Sequence, residues 1–260
     1  MNYLKWGKRF QNPYLYPAFS FICIDIEPDL DYIAIRTYGW MSTGGEDTPL
    51  AVYDLTLTLS PDLTVWENDT PVQIVTVKDT EKGDDYTLSD IQMSVHSGTH
   101  VDAPKHFISD GAGVHDLDLD VLTGPVQVID ARGHRVLTES ILSGLMMFQK
   151  MERVIFMTDN TDRQILHAPR FVRDFTAIDA SGARFLVDSG IRLVGMDALS
   201  IAPYDNPNPT HHILLGAGIV VVEGLDLKDI RHGNYQLSVM PLKIRDCDGA
   251  PARVVLRDSL

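Results

Sequence analysis

His96, His100, Asp102 and His106 fall within eleven residues, His96-Ser97-Gly98-Thr99-His100-Val101-Asp102-Ala103-Pro104-Lys105-His106. Imidazole nitrogen and carboxylate oxygen are the donors favoured by Zn2+ and neighbouring divalent ions, and a catalytic site needs them converging with one position left open. Three imidazoles and a carboxylate crowded together without a cation would leave many polar groups short of partners, whereas a lone His-x-x-x-His pair could simply be solvated in a loop. The preceding segment Asp90-Ile91-Gln92-Met93-Ser94-Val95 alternates polar and apolar, which predicts a half-buried strand with His96 at or just past its end. Gly98 and Pro104 end regular structure there, so the bent segment can turn His100 and Asp102 back toward His96.

A second cluster follows in Asn208-Pro209-Thr210-His211-His212-Ile213-Leu214-Leu215 and Gly218-Ile219-Val220-Val221-Val222-Glu223-Gly224-Leu225. Glu223 closes a β-branched run that reads as a buried strand, and a carboxylate there is costly unless paired or bound to a cation. On an extended segment His211 and His212 cannot point the same way, so one ligates and the other packs or faces solvent.

Together these residues resemble the metal-dependent cyclase family that includes bacterial kynurenine formamidase and isatin hydrolase. The resemblance rests on His-x-Gly-Thr-His-x-Asp-x-Pro-x-His, a later His-His and a Glu-Gly-Leu strand end, and runs from about Val52 to Leu256, taking in Gly190-Ile191-Arg192-Leu193-Val194-Gly195-Met196-Asp197-Ala198-Leu199-Ser200. It implies that His96, His100 and Asp102 hold one metal, that Asp102 bridges to a second completed by His211 and Glu223, and that His106 donates and accepts the proton. Intact His211 and Glu223 favour the two-metal version over the single-manganese variant of isatin hydrolases. The implied cofactors are two divalent ions, Zn2+ first and Mn2+ as the alternative. Formamidases carry Trp-Pro-Gly-Asp-x-Pro where this chain has Trp66-Glu67-Asn68-Asp69-Thr70-Pro71, so Trp66 is the expected substrate-binding ring while the rigid Pro-Gly corner is missing. Trp66 has an equally ordinary reading as a half-buried core residue.

The 260 residues, 44% hydrophobic, suffice for a substantial core. A net charge of −14, from 22 Lys and Arg against 36 Asp and Glu, argues against nucleic acid as a partner, because phosphate binding needs a basic stripe. Cys23 and Cys247 match no Cys-x-x-Cys pattern and read as two free thiols. The first ten residues lack the apolar core of a signal peptide and no apolar run approaches a membrane span, so the expectation is a cytoplasmic protein with no membrane partner.

Two regions differ in character. Residues 1–50 hold nearly half of the aromatic residues, among them Trp6, Phe10, Tyr14, Tyr16, Phe19, Tyr32 and Trp40, and read as an N-terminal extension ahead of a catalytic domain at 51–260. Within it, residues 19–26 and 32–37 look like strands. The extension is expected to be a structured hairpin or an arm over a neighbouring subunit, which with the family likeness points to a homodimer or higher homo-oligomer. Beyond it, residues 72–77, 126–130, 154–157, 192–196, 235–240 and 252–256 are strand-like. Residues 138–149 and 181–188 are helical candidates, with Ser140 a cap if the first starts late and Gly190 a stop for the second. The fold class is therefore mixed α/β with few helices, and the resemblance implies a swivelling β/β/α-type domain.

Other polar residues receive ordinary readings. His115 sits in a loop bordering the motif and reads as solvent-exposed rather than catalytic, His134, His167 and His232 have no ligand neighbour at motif spacing, the run Asp116-Leu117-Asp118-Leu119-Asp120 is a solvated edge whose alternation would align its carboxylates, and Asp197 and Ser200 could orient a ligand histidine. No Gly-x-Ser-x-Gly elbow is present. The reaction expected is hydrolysis of a small aryl formamide or cyclic amide by metal-activated water with His106 as acid and base. The alternatives are a cyclase or dehydratase using the same metals and a binding protein that has lost catalysis.

Overall fold

The computed structural model describes residues 21–25, 34–38, 51–146 and 151–259. The chain divides into two compact units, residues 1–51 and 52–260. In the first, β1 (Phe21–Asp25) pairs antiparallel with β2 (Ala34–Tyr38), the former inside its expected segment 19–26 and the latter running one residue past 32–37. The other expectations for residues 1–50 lie outside the described residues.

The second unit runs in order through β3 (Val52–Asp54), β4 (Gln73–Lys78), β5 (Leu88–Gln92), β6 (His100–Asp102), α1 (Leu119–Leu122), β7 (Thr123–Asp130), β8 (Val136–Leu137) and α2 (Glu139–Leu145). It continues with β9 (Arg153–Met157), α3 (Asp159–Asp162), β10 (Ala177–Ile178), α4 (Ala180–Asp188), β11 (Leu193–Met196), α5 (Asn208–Gly216), β12 (Val220–Glu223), β13 (Gly233–Pro241) and β14 (Gly249–Asp258). The main sheet has the order β13-β7-β9-β11-β12-β6-β14-β3, and a further β13–β14 ladder closes it on itself. Its β7-β9-β11-β12 section is parallel, the rest antiparallel. This is the mixed α/β class with few helices expected from sequence. The closure was not expected, because periodicity identifies a strand without naming its neighbour.

Alternation along the strands separates two cores. Val126, Val128, Ile155, Leu193, Val222, Val254 and Leu256 fill the inside of the closed sheet. Ile129, Val154, Phe156, Val194, Met196 and Val221 point the other way and pack with Leu142, Leu186 and Leu214 of α2, α4 and α5. Strands buried on both faces explain the unbroken apolar runs of β9 and β12.

Several local expectations need correction. The first long helix is capped by Thr138, whose Oγ1 accepts the Ile141 N–H at 3.5 Å, and not by Ser140. Residues 147–149 of its expected span lie outside the described residues. The strand before the histidine motif ends at Gln92, four residues short of His96, and is exposed along its length, as is its partner β4. These two form a separate hairpin, so the alternation there marks a strand exposed on both faces. The acidic run has its three carboxylates exposed as expected but is no strand: Asp118 caps α1, accepting the Asp120 N–H at 2.9 Å. The second helix matches its expected span within one residue, with Asp179 as cap and Gly190 at φ 76° as the stop.

Candidate metal centre

β6 is only three residues long, yet it lies between β12 and β14, with Glu223 opposite His100 and Gly249 opposite Asp102. Alternation sends Val101 into the closed sheet and turns His100 and Asp102 to the helical side, where Glu223 also points. The turn before β6 is bolted by Thr99. Its Oγ1 donates to the Gly224 carbonyl at 2.5 Å and accepts the Leu57 N–H at 2.9 Å. Gly98, at φ 66°, makes the left-handed bend that brings His96 back over the strand.

The second cluster reaches the same place by a route the sequence did not show. Asn208–Gly216 is a helix, with Pro209 in its first turn, and not an extended segment. Successive residues on a helix differ by about 100°, so His211 is buried against the carboxylates while His212 is exposed. The expectation that only one of the pair faces the site holds for this different reason.

The donor atoms converge. Asp102 Oδ1 lies 2.9 Å from His96 Nδ1 and 3.4 Å from His100 Nε2. His100 Nε2 is 3.3 Å from Glu223 Oε2, and His211 Nε2 is 3.4 Å from Glu223 Oε1 and 3.7 Å from Asp102 Oδ2. Two of the imidazoles have their tautomer fixed from behind. His100 Nδ1–H donates to the Gly98 carbonyl and His211 Nδ1–H to the Pro207 carbonyl, both at 2.9 Å, so in each ring Nε2 is the atom that faces the carboxylates and can exchange a proton for a cation. Glu223 is held by the Ile201 N–H at 2.7 Å, and the His211 ring stacks on Phe107 at 4.3 Å and 5°.

Three donor groups bring their atoms close enough to hold a divalent ion: His96, His100 and Asp102; Asp102, His211 and Glu223; and, less buried, His96, His106 and Asp248. Among the described residues only four buried side-chain atoms lack a hydrogen-bond partner, and two of them are His100 Nε2 and Asp102 Oδ2. Four-coordinate zinc with bonds of about 2.0 Å has donor-to-donor edges of about 3.3 Å. The separations of 3.3 to 3.7 Å among His100, His211, Asp102 and Glu223 are close to such edges, while the 2.9 Å His96–Asp102 contact is a hydrogen bond. Without a cation the cluster retains protons instead. Burial pushes the His100 imidazole down, but Asp102 and Glu223 outweigh it and raise the value to about 10. Burial likewise opposes ionisation of Asp102, yet His100 and His96 hold it well below the ordinary carboxylate value. Both shifts express one demand for positive charge between the carboxylates.

His106 stands beside this group, its ring stacked on His96 at 4.0 Å and 29°. Burial pushes its imidazole below the ordinary histidine value, against the pull of Asp102.

The Cyclase family model matches residues 53–203. The chain belongs to the Cyclase family. It is 37% identical to a kynurenine formamidase of Salinibacter ruber, over 81% of this chain and 99% of that protein. A structure described as a potential metal-dependent hydrolase with cyclase activity superposes with a TM-score of 0.70 at 34% identity, covering 81% of this chain and 99% of the other. Isatin hydrolase A from Labrenzia aggregata gives a TM-score of 0.71 at 26% identity, covering 81% and 94%.

Of the residues expected in this Cyclase site, Trp66 alone belongs to a different group, its ring contacts being Phe171, Phe175 and Tyr204 at 4.7, 6.3 and 5.5 Å. The corner after it survives the loss of Pro-Gly. Asp69 N–H donates to the Trp66 carbonyl at 3.0 Å, and Asn68 takes φ 71°, the left-handed conformation that asparagine tolerates better than most residues. Glu67 braces the group, pairing with Arg173 at 2.7 Å and accepting the Tyr204 O–H at 2.8 Å.

Asp197 and Ser200 do not orient a histidine in this Cyclase. Asp197 is buried beneath α3, accepting both the N–H and the hydroxyl of Thr158 at 2.8 Å and those of Thr161 at 3.1 and 2.7 Å. Ser200 Oγ accepts the Ala202 N–H within its own loop. Sequence reasoning missed Phe107, whose place beside His106 was a signal, and Asp248, whose Oδ2 lies 2.8 Å from His96 Nε2.

Proposed function

We propose that this chain is a metal-dependent hydrolase that opens the C–N bond of a small aryl formamide or cyclic amide. The observation that carries the reading is the buried convergence on Asp102, whose two oxygens face separate donor groups while its Oδ2 and His100 Nε2 lack partners. The names of the relatives, kynurenine formamidase and isatin hydrolase, supply the substrate class. In this reading His96, His100 and Asp102 hold one ion and Asp102, His211 and Glu223 a second, with Zn2+ preferred and Mn2+ the alternative. Residues 51–260 form the catalytic domain and residues 1–50 an extension to it, in a cytoplasmic homodimer or higher homo-oligomer.

When bound, divalent ions supply polarisation of the substrate carbonyl and activation of water. Asp102 and Glu223 stay ionised and keep the positive charge in place. His106, neutral near pH 7 because burial disfavours its cation, accepts the proton that water gives up as its oxygen bonds the acyl carbon. It then delivers that proton to nitrogen as the C–N bond breaks, so the same imidazole serves as base and acid. Trp66 is assigned to the substrate as a flat apolar wall.

The test is hydrolysis of N-formylkynurenine and isatin by protein loaded with Zn2+ or Mn2+, beside a chelator-treated control. Chelator-sensitive release of the ring-bearing amine or the opened acid supports the reading. A metal-loaded protein that hydrolyses neither compound nor other aryl formamides and cyclic amides overturns it, and ring closure without uptake of water would assign a cyclase.

A further inference from the structure

The carboxylate of Asp248 faces two imidazoles with a single oxygen. Its Oδ2 lies 2.8 Å from His96 Nε2 and 3.5 Å from His106 Nδ1, while Oδ1 accepts the Cys247 thiol at 3.6 Å. Resting on the functional reading above, we propose that Asp248 is a positioning residue that sets the tautomers of His96 and His106 together.

For His96 the argument is one of ring nitrogens. Nδ1 points inward, 2.9 Å from Asp102 Oδ1, so it can serve a cation only as a bare lone pair, and the proton then resides on Nε2. A carboxylate at Nε2 holds it there, as the outer partners of metal-ligating histidines do. For His106 the same oxygen faces Nδ1, and stacking on His96 fixes the ring plane. A proton held on Nδ1, which faces Asp248 at 3.5 Å, leaves Nε2 as the basic atom of His106. One oxygen therefore ties the orientation of a ligand to that of the proton carrier.

The backbone keeps Asp248 in place. Its carbonyl accepts the Ala103 N–H at 2.9 Å, one residue after Asp102, and the next residue, Gly249, pairs with Asp102 in the β6–β14 ladder. A side chain at 249 would not fit, since its Cβ would lie 2.7 Å from His96 Cε1. The strand start is thus moulded to the His96 ring, and the carboxylate follows at a fixed height above it.

The experiment combines nitrogen NMR of 15N-histidine-labelled, Zn2+-loaded protein with the Asp248→Ala variant. His96 and His106 signals are assigned by their loss in His96→Gln and His106→Gln. Expected in the unsubstituted protein are His96 protonated at Nε2 and His106 at Nδ1. In Asp248→Ala, His106 redistributes between tautomers, and Zn2+ affinity measured against a competing chelator falls about 10- to 100-fold. On a hydrolysed substrate kcat falls with KM unchanged, and the loss is smaller when His106→Ala is already present. An Nε2–H tautomer of His106 in the unsubstituted protein overturns the proposal, as does a variant with metal affinity and tautomers unchanged. Loss of a third equivalent of zinc in Asp248→Ala would also overturn it, by making Asp248 a ligand. Tautomers and affinity are read without substrate, so a protein inactive on every amide still tests the role of Asp248. The unsubstituted protein's spectrum serves if the variant does not fold.

Discussion

His100 and Glu223 sit directly opposite one another across the β6–β12 ladder, His100 Nε2 lying 3.3 Å from a Glu223 oxygen. Strand register alone brings together residues from the two sequence clusters. Helix α5 then adds His211 to the same carboxylate.

Sharing of Asp102 predicts unequal effects of ligand substitutions. Asp102→Asn should lose both equivalents of metal, whereas His211→Ala should retain one, because His96, His100 and Asp102 are untouched. Metal analysis after dialysis against trace chelator distinguishes them. Equal retention in the two variants would contradict shared use of Asp102.

The raised value of His100 predicts how the metal-free protein responds to alkali. Its imidazole ordinarily titrates at 6.5 but is held up at about 10 in the fold, so protonation stabilises the folded state fully below 6.5 and that contribution fades as pH rises through about 10. Melting temperature in excess chelator should therefore fall across this window. Zinc-loaded protein should fall less, the cation having replaced the proton.

For His106 the sign is opposite. Burial lowers its value, so the neutral form required to accept a proton predominates at neutral pH. The acid limb of kcat assigned to it should lie below 6.5, and His106→Ala should abolish that limb while reducing kcat by about 10²- to 10⁴-fold. Metal content should be unchanged.

Thr99→Val tests the bolt behind the motif. It removes the acceptor of the Leu57 N–H and the donor to the Gly224 carbonyl, both buried, and should destabilise the fold by about 1–3 kcal/mol for each group left unsatisfied. Denaturant unfolding of the metal-free protein measures it apart from metal binding.

What could be read in the sequence was local. The histidine motif stood out because its residues are neighbours along the chain, and Glu223 because a carboxylate ending a Val-Val-Val run is conspicuous. The shape of the His211 segment is not carried by its adjacent histidines, which fit an extended segment equally; Pro209, in the first turn of the helix, is the residue that marks it. Asp248 left no trace, since its partner His96 is 152 residues away and the contact exists only through β6–β14 pairing. The altered corner after Trp66 illustrates a third case. Residue types changed, but Asn68 adopts a conformation suited to glycine, so a lost motif did not mean a lost turn.

Closure of the main sheet by β14 also has a bearing on biosynthesis. The three-residue strand that carries His100 and Asp102 has one flank on β12 and the other on the start of β14. A nascent chain emerging from the ribosome has nothing to complete that second flank until residues 249–251 follow. The histidine motif, made more than a hundred residues earlier, therefore gains its second flank only once residues 249–251 have been made.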